Sequence, residues 1–350
     1  EFGDTIEEDL ARRDFTVNAM AWGARPGDAP ALVDPYDGRA DVTARLLRAV
    51  GDPRARFEED ALRMVRGVRL AATLGFDIEP ATLAGIEARS ELVAHLSGER
   101  IAAELDKLLA APIPSIGLRL MNDTGLLAQI SPDLAAQRGI AQNKVPGEDL
   151  WDHTLGSVDA APPGRPIVRL AALLHDIGKP ATFADDHFLG HEAAGAELAG
   201  RFLDRLHSPR AVRDRVVELV RNHMFSYEPG WSDAAVRRFI ARIETSGDGA
   251  LSELLALREA DNVGSGLAPG AGWLGELRAR IAAELQAEAV LDRRGLAVDG
   301  TDLIDELGLS PGPILGRILE ALLDRVIADP ELNDRPTLLL LARALTAADG

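Results

Sequence analysis

The fold is decided by the stretch from residue 58 to residue 76, EEDALRMVRGVRLAATLGF. Apolar residues recur in it at helical spacing, at Leu62, Val65 and Val68, and the pattern stops at Gly75. A glycine directly after such a pattern is typical of a helix C-terminus. The stretch therefore predicts an amphipathic helix that ends at Gly75. Similar helical patterns, separated by Pro or Gly, recur along most of the chain that follows.

The same stretch carries a charged stripe. An acid and three arginines recur in it at intervals of three residues: Asp60, Arg63, Arg66 and Arg69. Side chains at this spacing lie along one face of a helix. Such a face is often a solvated surface with internal ion pairs. Here the other faces are apolar and a second dense polar cluster lies upstream at residues 12–19, which favours a binding role.

Length and composition limit the classes of protein that this chain can be. Its 350 residues exceed a single core at about 100–200 residues per domain, so we expect two or three packed units. Hydrophobic residues make up 46% and charged residues 27%, which is ordinary for a globular chain. Because there is no cysteine, disulfide scaffolds, thiolate metal sites and cysteine nucleophiles are excluded. Any metal must be bound by histidines and carboxylates.

The chain is strongly acidic. A net charge of −18 argues against indiscriminate nucleic-acid binding, which needs a basic face, but leaves room for a local basic groove. Only three of the 38 basic residues are lysine, so the cations are mainly guanidinium groups, which suit bidentate contacts with phosphate and bases. No apolar run approaches the roughly 20 residues of a membrane-spanning helix, and the N-terminus lacks the cationic start of a secretory signal. We therefore expect no membrane association and a cytoplasmic location.

Strand signals are confined to residues 14–50. Phe15, Val17 and Ala19 alternate with polar residues, and a PYDG turn at residues 35–38 follows an apolar segment. Beyond residue 50 the patterns are helical. The sequence therefore predicts a mainly α fold with a small strand-containing segment at the N-terminus.

Four stretches follow one another in the first third of the chain: RRDFTVNAMA at residues 12–21, LVDPYDG at 32–38, the stretch at 58–76 and GERIAAELDKLL at 98–109. In this order they resemble successive motifs of the bacterial CCA-adding tRNA nucleotidyltransferase and poly(A) polymerase family. The resemblance implies template-independent addition of C and A to the 3′ end of tRNA or another RNA. CTP and ATP would be the substrates.

The resemblance also implies roles for the charged residues. Asp60 and Arg63 would read the base edge of the incoming CTP or ATP. A carboxylate and a guanidinium can pair with the amino, ring-nitrogen and carbonyl groups that distinguish C and A from U and G. The remaining residues would orient the helix and hold the ribose or triphosphate: Arg12, Arg13, Asp14, Asn18, Arg66 and Arg69.

One requirement of nucleotidyl transfer is missing from this sequence. By the same resemblance, a Gly-Ser turn and a D-x-D pair upstream of residue 12 would hold Mg²⁺ between the triphosphate and the attacking 3′-hydroxyl. No two aspartates in this chain are separated by a single residue. We therefore expect the chain to be a fragment that begins after the catalytic strands, and to transfer no nucleotide by itself.

A second group of chemically active residues lies between residues 153 and 261. An apolar helical pattern runs through LAALLHDIGKP, residues 170–180, into the adjacent His175 and Asp176 and stops at Gly178. Other histidines lie on or beside separate predicted helices, so a helical bundle can bring them into one pocket. Imidazoles and carboxylates without thiolates suit Mn²⁺, Fe²⁺, Ni²⁺ or Zn²⁺.

The order of these residues resembles the HD-domain phosphohydrolase pattern, H…HD…H…H…D. The resemblance implies four primary metal ligands: His153, His175, Asp176 and Asp261. His191 and His223 would complete a second metal position or grip phosphate, and Lys179 would neutralise a phosphate oxygen. A catalytically active site of this kind would hydrolyse 2′,3′-cyclic or terminal phosphates. The alternative is a helical scaffold that supports RNA.

Four parts of the chain follow from these patterns. We expect a remnant of a nucleotidyltransferase α/β head at residues 1–50, a helical neck and body at 51–143, an HD-domain helical bundle at 144–265 and a helical tail at 266–350. The leading interpretation is a tRNA nucleotidyltransferase. A metal-dependent phosphohydrolase and a non-catalytic RNA-binding module are the alternatives.

Overall fold

The computed structural model of the chain describes residues 5–23, 29–142, 144–185, 187–244, 247, 249–287 and 290–348. The chain divides into two compact units. The first contains Glu1–Met224 and Ala256–Pro269, and the second contains Phe225–Leu255 and Gly270–Gly350. The mainly α fold class predicted from the sequence is confirmed. None of the helices in the described ranges is both long enough and apolar enough to cross a membrane.

The first unit begins with a small segment of helices and short strands. Its elements are α1 (Ile6–Ala11), a 3-10 helix (Thr16–Asn18), β1 (Ala21–Gly23), β2 (Ala31–Val33), α2 (Gly38–Ala44) and β3 (Leu46–Leu47). β1 pairs with β2 in antiparallel orientation, and β3 pairs in parallel with β4 (Asp77–Ile78). The segment packs around the buried side chains of Leu10, Ala19 and Val50.

The strand predicted around residues 15–19 is wrong. Phe15 makes only an isolated antiparallel bridge with Ala49, and the chain enters the 3-10 helix at Thr16. The Thr16 N–H donates to Arg48 O at 2.9 Å, which belongs to this bridge, and its hydroxyl donates to the buried Asp41 carboxylate at 2.7 Å. Beyond Thr16 the N–H groups of Asn18 and Ala19 donate back to Phe15 O and Thr16 O, both at 2.9 Å, so the chain turns and the alternating pattern does not continue as a strand.

The first unit continues with helices. These are α3 (Pro53–Glu59), α4 (Leu62–Leu74), α5 (Pro80–Arg89), a 3-10 helix (Ser90–His95), α6 (Gly98–Leu109), α7 (Pro114–Asp123), α8 (Leu126–Ile130) and α9 (Pro132–Ala135). α4 buries Val65 and Val68, packs against α6 and α7, and ends as predicted at Gly75, whose φ is 65°. The helical pattern of the sequence runs without a break over residues 115–128 and predicts one helix there, which is wrong, because Gly125 adopts a φ of 79° between α7 and α8 and a left-handed residue ends a helix.

The histidine-rich part of the chain is also helical. Its helices are α10 (Leu150–Ala160), α11 (Pro166–Leu174), α12 (Lys179–Thr182), α13 (His191–Arg205), α14 (Arg210–Asn222), α15 (Asp233–Glu244) and α16 (Ala250–Gly264). α11 packs against α10 and α14, and α14 packs against α13. α15 belongs to the second unit, and α16 contributes residues to both. Residues 225–255, which the sequence assigned to the HD domain, thus belong to the second unit.

A buried arginine joins three helices of the first unit. Arg169 on α11 is 1% exposed, and its guanidinium donates to Ala161 O at 3.0 Å, to Ala111 O at 2.7 Å and to Leu109 O. These carbonyls lie at or just beyond the C-terminal ends of α10 and α6, where a helix leaves acceptors without intrahelical partners. Arg169 therefore pairs buried carbonyls that helix geometry alone leaves unsatisfied.

The second unit packs around its own helical core. Its remaining elements are α17 (Leu274–Gln286), a 3-10 helix (Arg293–Gly295), α18 (Gly300–Leu307), α19 (Pro313–Ala328), a 3-10 helix (Pro330–Leu332) and α20 (Arg335–Ala348). The core includes the fully buried Leu303 of α18 and Leu322 of α19. Arg237 on α15 donates to Ile327 O at 2.7 Å and pairs with Glu284 at 2.9 Å. It therefore links α15, α17 and the last turn of α19.

We expect the substitution Gly98→Ala to destabilise the first unit by about 2 kcal/mol. A Cβ atom at this position would lie 2.0 Å from Arg205 O and 2.9 Å from Leu206 Cα, both backbone atoms, so α6 must move away from the end of α13. Thermal unfolding followed by circular dichroism should show a Tm lower by roughly 5 °C. Gly164→Ala is the control, because a Cβ there meets nothing within 4 Å. Equal Tm values for the two variants would contradict this packing.

Candidate nucleotide-binding and metal sites

One group of charged side chains comes from the segment after α1, from α4 and the residue region just before it, and from α6. We call it the arginine–carboxylate cluster; its members are Asp14, Asp60, Arg63, Arg66, Arg69, Arg100 and Glu104. Asp14 accepts a hydrogen bond from Arg63 Nε at 2.8 Å and pairs with Arg66. Both arginines are on α4, so one carboxylate from the N-terminal segment fixes two guanidinium groups. The two sequence motifs at residues 12–21 and 58–76 therefore meet in space.

Asp60 does not lie on the helical stripe that the sequence predicted. It precedes α4 in an extended conformation, with φ −153° and ψ 104°. Its Oδ1 accepts the Leu62 N–H at 3.1 Å, which starts the helix. Arg100 of α6 pairs with this carboxylate, at 3.0 Å from Oδ1 and 2.8 Å from Oδ2. The Asp60 side chain remains 29% exposed, so its carboxylate can accept a further hydrogen bond.

Arg63 is held by several acceptors. Besides the bond to Asp14, its Nη1 donates to Glu59 Oε2 at 2.6 Å and its Nη2 donates to Arg12 O at 3.3 Å. The Arg63 side chain is 14% exposed, whereas that of Glu59 is 55% exposed. An ion pair at the surface contributes only about 0–1 kcal/mol. Glu59 is therefore the partner that another hydrogen-bonding group can replace most easily.

Glu104 on α6 is 3% exposed and faces three cations. Arg69 Nε donates to its Oε2 at 2.6 Å, Lys107 Nζ donates to its Oε1 at 3.3 Å, and Arg66 Nε lies 3.8 Å away. A buried carboxylate needs such partners, because leaving it unpaired costs about 3–5 kcal/mol. Glu104 therefore holds α4 against α6 and orients two of the arginines predicted to bind the nucleotide.

The other predicted residues lie at the edge of the cluster. Arg12 and Arg13 follow α1 at the surface, where Arg13 pairs with Asp9 at 2.6 Å. Asn18 is exposed in the 3-10 helix. These side chains are accessible to a ligand, and their role in holding ribose or triphosphate stays a prediction.

Sequence reasoning assigned no role to Arg100 or Glu104, although both lie in the quoted stretch at residues 98–109. They are four residues apart on a predicted helix and therefore share one face. That spacing was the available signal, but it does not reveal that the face meets Asp60 and α4.

Four histidines and two aspartates converge in the first unit and form the histidine cluster: His153, His175, Asp176, His191, His223 and Asp261. Asp176 is 1% exposed and divides the cluster into two halves. Its Oδ2 lies 3.3 Å from His153 Nε2 and 3.2 Å from His175 Nε2. Its Oδ1 lies 3.4 Å from His191 Nε2 and 3.7 Å from His223 Nε2. The residues predicted as metal ligands are thus brought together, and their role as ligands stays a prediction.

Backbone carbonyls orient three of the histidine rings. Nδ1 of His175, His191 and His223 lies 2.8, 2.8 and 2.6 Å from the carbonyl oxygen three residues earlier. A carbonyl can only accept, so Nδ1 carries the proton in each ring. Nε2 therefore faces Asp176, which is the ring orientation of a metal-binding histidine.

Burial disfavours the charged forms of the side chains in the histidine cluster, and neighbouring side chains offset this effect for the two aspartates. Burial lowers the pKa of His175, although the nearby carboxylates oppose this effect. Burial also penalises the charged form of Asp176, but His175 and Lys179 outweigh that penalty and hold the pKa of its carboxyl well below the usual value. Asp261, 3.3 Å from His153 Nε2, is likewise held at a low pKa against the effect of burial. Imidazoles and carboxylates together are a donor set that suits a divalent ion.

Three cations face the two aspartates of the cluster. Lys179 Nζ donates to Asp176 Oδ2 at 2.6 Å. Arg258 Nη1 donates to Asp261 Oδ2 at 3.0 Å, and Lys144 Nζ lies 3.7 Å from Asp261 Oδ1. Sequence reasoning missed the last two cations. Arg258 is three residues before Asp261 on a predicted helix, which was a usable signal, whereas Lys144 lies on a loop that no local pattern positions.

The spacing of the donor atoms fits divalent metal ions. Ligand atoms that share an ion at about 2.1 Å lie roughly 3 Å apart. The separations are 3.1 Å between His153 Nε2 and His175 Nε2 and 3.4 Å between His191 Nε2 and His223 Nε2. Two groups of three potential ligands meet at Asp176, and across the described part of the chain such groups occur only in this cluster.

Three parts of the chain match known protein families. Residues 1–48 match the family described as the poly A polymerase head domain. Residues 75–138 match the probable RNA and SrmB-binding site of polymerase A, and residues 152–264 match the HD domain. In the arginine–carboxylate cluster, Asp14 lies in the first of these regions, Arg100 and Glu104 lie in the second, and α4 lies between the two regions.

Whole-chain relatives agree with these matches. The A-adding tRNA nucleotidyltransferase of Deinococcus radiodurans is 35% identical over 91% of this chain and 74% of that protein. The CC-adding tRNA nucleotidyltransferase of Thermus thermophilus is 36% identical over 91% of this chain and 73% of that protein. The crystal structure of the Bacillus stearothermophilus CCA-adding enzyme in complex with CTP superposes with a TM-score of 0.68 and 28% identity, over 99% of this chain and 76% of that chain. The chain therefore belongs to the tRNA nucleotidyltransferase family that includes these A-adding, CC-adding and CCA-adding enzymes.

Proposed function

We propose that this chain selects CTP and ATP and holds the RNA acceptor in an enzyme that adds C and A to tRNA 3′ ends. The observation that carries the proposal is the Asp60 carboxylate, which Arg100 and the Leu62 N–H hold while its side chain stays 29% exposed. Membership of the family supports the reaction. Because the two relatives differ in the nucleotides that they add, the proposal covers CC, A and CCA addition.

Asp60 favours bases that present an amino group. An ionised carboxylate only accepts hydrogen bonds. Cytosine N4 and adenine N6 are donors, whereas the corresponding uracil and guanine oxygens are acceptors that a carboxylate repels. Arg63, once it exchanges Glu59 for the base, would donate to the ring nitrogen beside the amino group.

The arginines next to Asp60 would bind the polyphosphate. Arg66 is 34% exposed and already fixed by Asp14, and Arg12 and Arg13 are exposed at the surface. Guanidinium groups contact phosphate oxygens in bidentate fashion. Since ion pairs hold Arg66 in place, less side-chain entropy is lost when the nucleotide binds.

The nucleotidyltransferase and HD domains imply dependence on divalent metals. For nucleotidyl transfer we propose Mg²⁺, which would stabilise the negative charge of the triphosphate during the reaction. For the histidine cluster we propose Mn²⁺, Ni²⁺, Fe²⁺ or Zn²⁺, since its donors are imidazoles and carboxylates.

The histidine cluster favours a second function, hydrolysis of 2′,3′-cyclic or terminal phosphates. The observation behind it is the division of Asp176 between two pairs of histidine nitrogens. A divalent ion bound there would supply an activated water and polarise the phosphate. Lys179 and Lys144, at the rim of the same cluster, would neutralise phosphate oxygens.

We expect Asp60→Asn to relax the choice of base. An asparagine amide can donate as well as accept, so uracil and guanine oxygens gain a partner while the cap on Leu62 N–H is kept. Isothermal titration of the unchanged chain should show CTP binding roughly tenfold more tightly than UTP, and the variant should bring that ratio close to one.

Asp123→Asn is the matched control for Asp60→Asn. Asp123 also pairs with an arginine, Arg138, at 2.7 Å, and both side chains are exposed outside the cluster. Its substitution should leave the CTP to UTP ratio unchanged. An unchanged ratio in Asp60→Asn as well would refute the role of Asp60 in base selection.

We expect the histidine cluster to bind two equivalents of Mn²⁺, and Asp176→Asn to lose both, because the two Asp176 oxygens face different halves. His223→Asn should lose only one. Metal analysis after equilibrium dialysis counts the equivalents, with the exposed His95→Asn as control. Less than one equivalent in the unchanged chain, or equal losses in Asp176→Asn and His223→Asn, would contradict the two-position arrangement.

We expect the chain to hydrolyse 2′,3′-cyclic AMP when Mn²⁺ or Ni²⁺ is added. The double variant His175→Ala, Asp176→Ala removes ligands from both halves of the cluster and should reduce turnover to background. Product formation followed by chromatography provides the measurement. Turnover that persists in the double variant, or none with either metal, would refute the phosphohydrolase function.

A further inference from the structure

A cavity of about 510 Å³ lies in the first unit between α6, the start of α11 and the turn that joins α13 to α14. Its wall is mostly apolar and includes Ala103 of α6, Leu170 of α11 and Val212 of α14. Two acids of α6, Glu99 and Asp106, also line it. We call it the α6 cavity. Its volume is within the range of small-molecule sites, roughly 300–1,000 Å³.

The packing of the chain fixes both ends of α6 at this cavity. At the start of the helix, Gly98 approaches the end of α13 so closely that a Cβ atom would lie 2.0 Å from Arg205 O. At its end, Arg169 of α11 donates to Leu109 O and, at 2.7 Å, to Ala111 O. These contacts hold α6 against α11 and α13, so the walls of the α6 cavity keep their positions.

The two acids lie at separate points along the cavity. Glu99 and Asp106 are seven residues apart on α6, and Ala102 and Ala103 lie between them on the same face. With a rise of 1.5 Å per residue, their Cα atoms are about 10.5 Å apart. An apolar floor of two helical turns therefore separates two carboxylates.

The charge of Asp106 is not compensated by the chain. Within the described residues Asp106 forms no ion pair, and its neighbour Lys107 pairs with Glu104 at 3.3 Å. Burial raises the pKa of the Asp106 carboxyl, and no opposing effect of a described cation accompanies it. Asp106 also lies in the last turn of α6, where the helix dipole disfavours a negative charge. A cation from outside the chain would relieve both effects.

Glu99 is also accessible to an incoming cation. Its Oε1 lies 3.6 Å from His207 Nδ1, and the two side chains are 62% and 63% exposed. A surface pair of this kind contributes little to stability. An ammonium group can therefore take the place of His207 beside Glu99.

We propose that the α6 cavity binds a linear aliphatic diamine or polyamine. One ammonium group would lie at Asp106 and another at Glu99, with the methylene chain against the apolar wall between them. Ammonium groups only donate hydrogen bonds, and carboxylates only accept them. The net charge of −18 attracts polycations to the chain as a whole, and the two acids disfavour anionic ligands in the cavity.

The test compares two diamines of equal charge and different length. An extended 1,8-diaminooctane reaches from Asp106 to Glu99, whereas 1,4-diaminobutane is too short to meet both. Each is titrated calorimetrically into the chain at about 0.15 M salt, which screens attraction between exposed charges. Since each buried methylene strengthens binding about fourfold, we expect the longer diamine to bind at least tenfold more tightly.

Variants of Asp106 separate the cavity from the overall charge. Asp106→Asn should weaken binding of 1,8-diaminooctane roughly tenfold, and Asp106→Glu should keep the preference for the longer diamine. Asp133→Asn is the matched control, because Asp133 is an exposed acid of α9 that also forms no ion pair among the described residues. It removes the same charge and should leave both affinities unchanged.

Three results would overturn the proposal. The first is equal affinity for the two diamines, or no binding of 1,8-diaminooctane at millimolar concentration. The second is a preference for the longer diamine that survives Asp106→Asn, because the ligand would then bind elsewhere. The third is an equal loss of affinity in Asp106→Asn and Asp133→Asn, which would assign the binding to net charge.

Discussion

A buried carboxylate, Asp176, is the constraint on which the first unit depends. A carboxylate at 1% exposure is strongly destabilising unless it is paired. Its partners come from different helices: His153 from α10, His175 from the end of α11, Lys179 from α12, His191 from the start of α13 and His223 from the end of α14. None of these helices can shift without uncovering the charge. The packing of the unit and the arrangement of the candidate metal ligands therefore have a common physical origin.

The hydrogen bond from Nδ1 of a histidine at a helix end has two effects in this structure. The last turn of a helix has carbonyls without intrahelical partners, and the Nδ1–H of His175 and that of His223 each pair with one of them. The same bond fixes the ring so that Nε2 faces Asp176. A glutamine or asparagine at these positions could satisfy the carbonyl but would not present a ring nitrogen to a metal. One hydrogen bond thus pairs a carbonyl of the helix end and also orients the ring nitrogen of the candidate ligand.

The sequence predicts these features as far as they depend on local patterns. Helical periodicity and Gly75 defined α4, and LAALLHDIGKP, residues 170–180, placed His175 and Asp176 at a helix end. The errors arise where distant residues decide the conformation. Thr16 turns because its hydroxyl reaches Asp41, and Asp60 leaves the helical stripe because it accepts the Leu62 N–H and meets α6. The motifs therefore identified which residues belong together, whereas their directions depended on tertiary contacts.

Asp60 and Asp176 have different kinds of partner, and this difference separates the chemistry that we propose for the two clusters. In the arginine–carboxylate cluster, arginines pair with Asp14, Asp60 and Glu104. Carboxylates paired with guanidinium groups attract a divalent ion weakly, because their charge is already compensated. In the histidine cluster most nitrogens facing Asp176 belong to imidazoles, which can share the carboxylate with a metal. Since the Asp60 side chain stays partly exposed, the first cluster is suited to a base edge, while the second is suited to a metal ion. The groups beside Asp60 and Asp176 thus support different proposed roles for these two carboxylates.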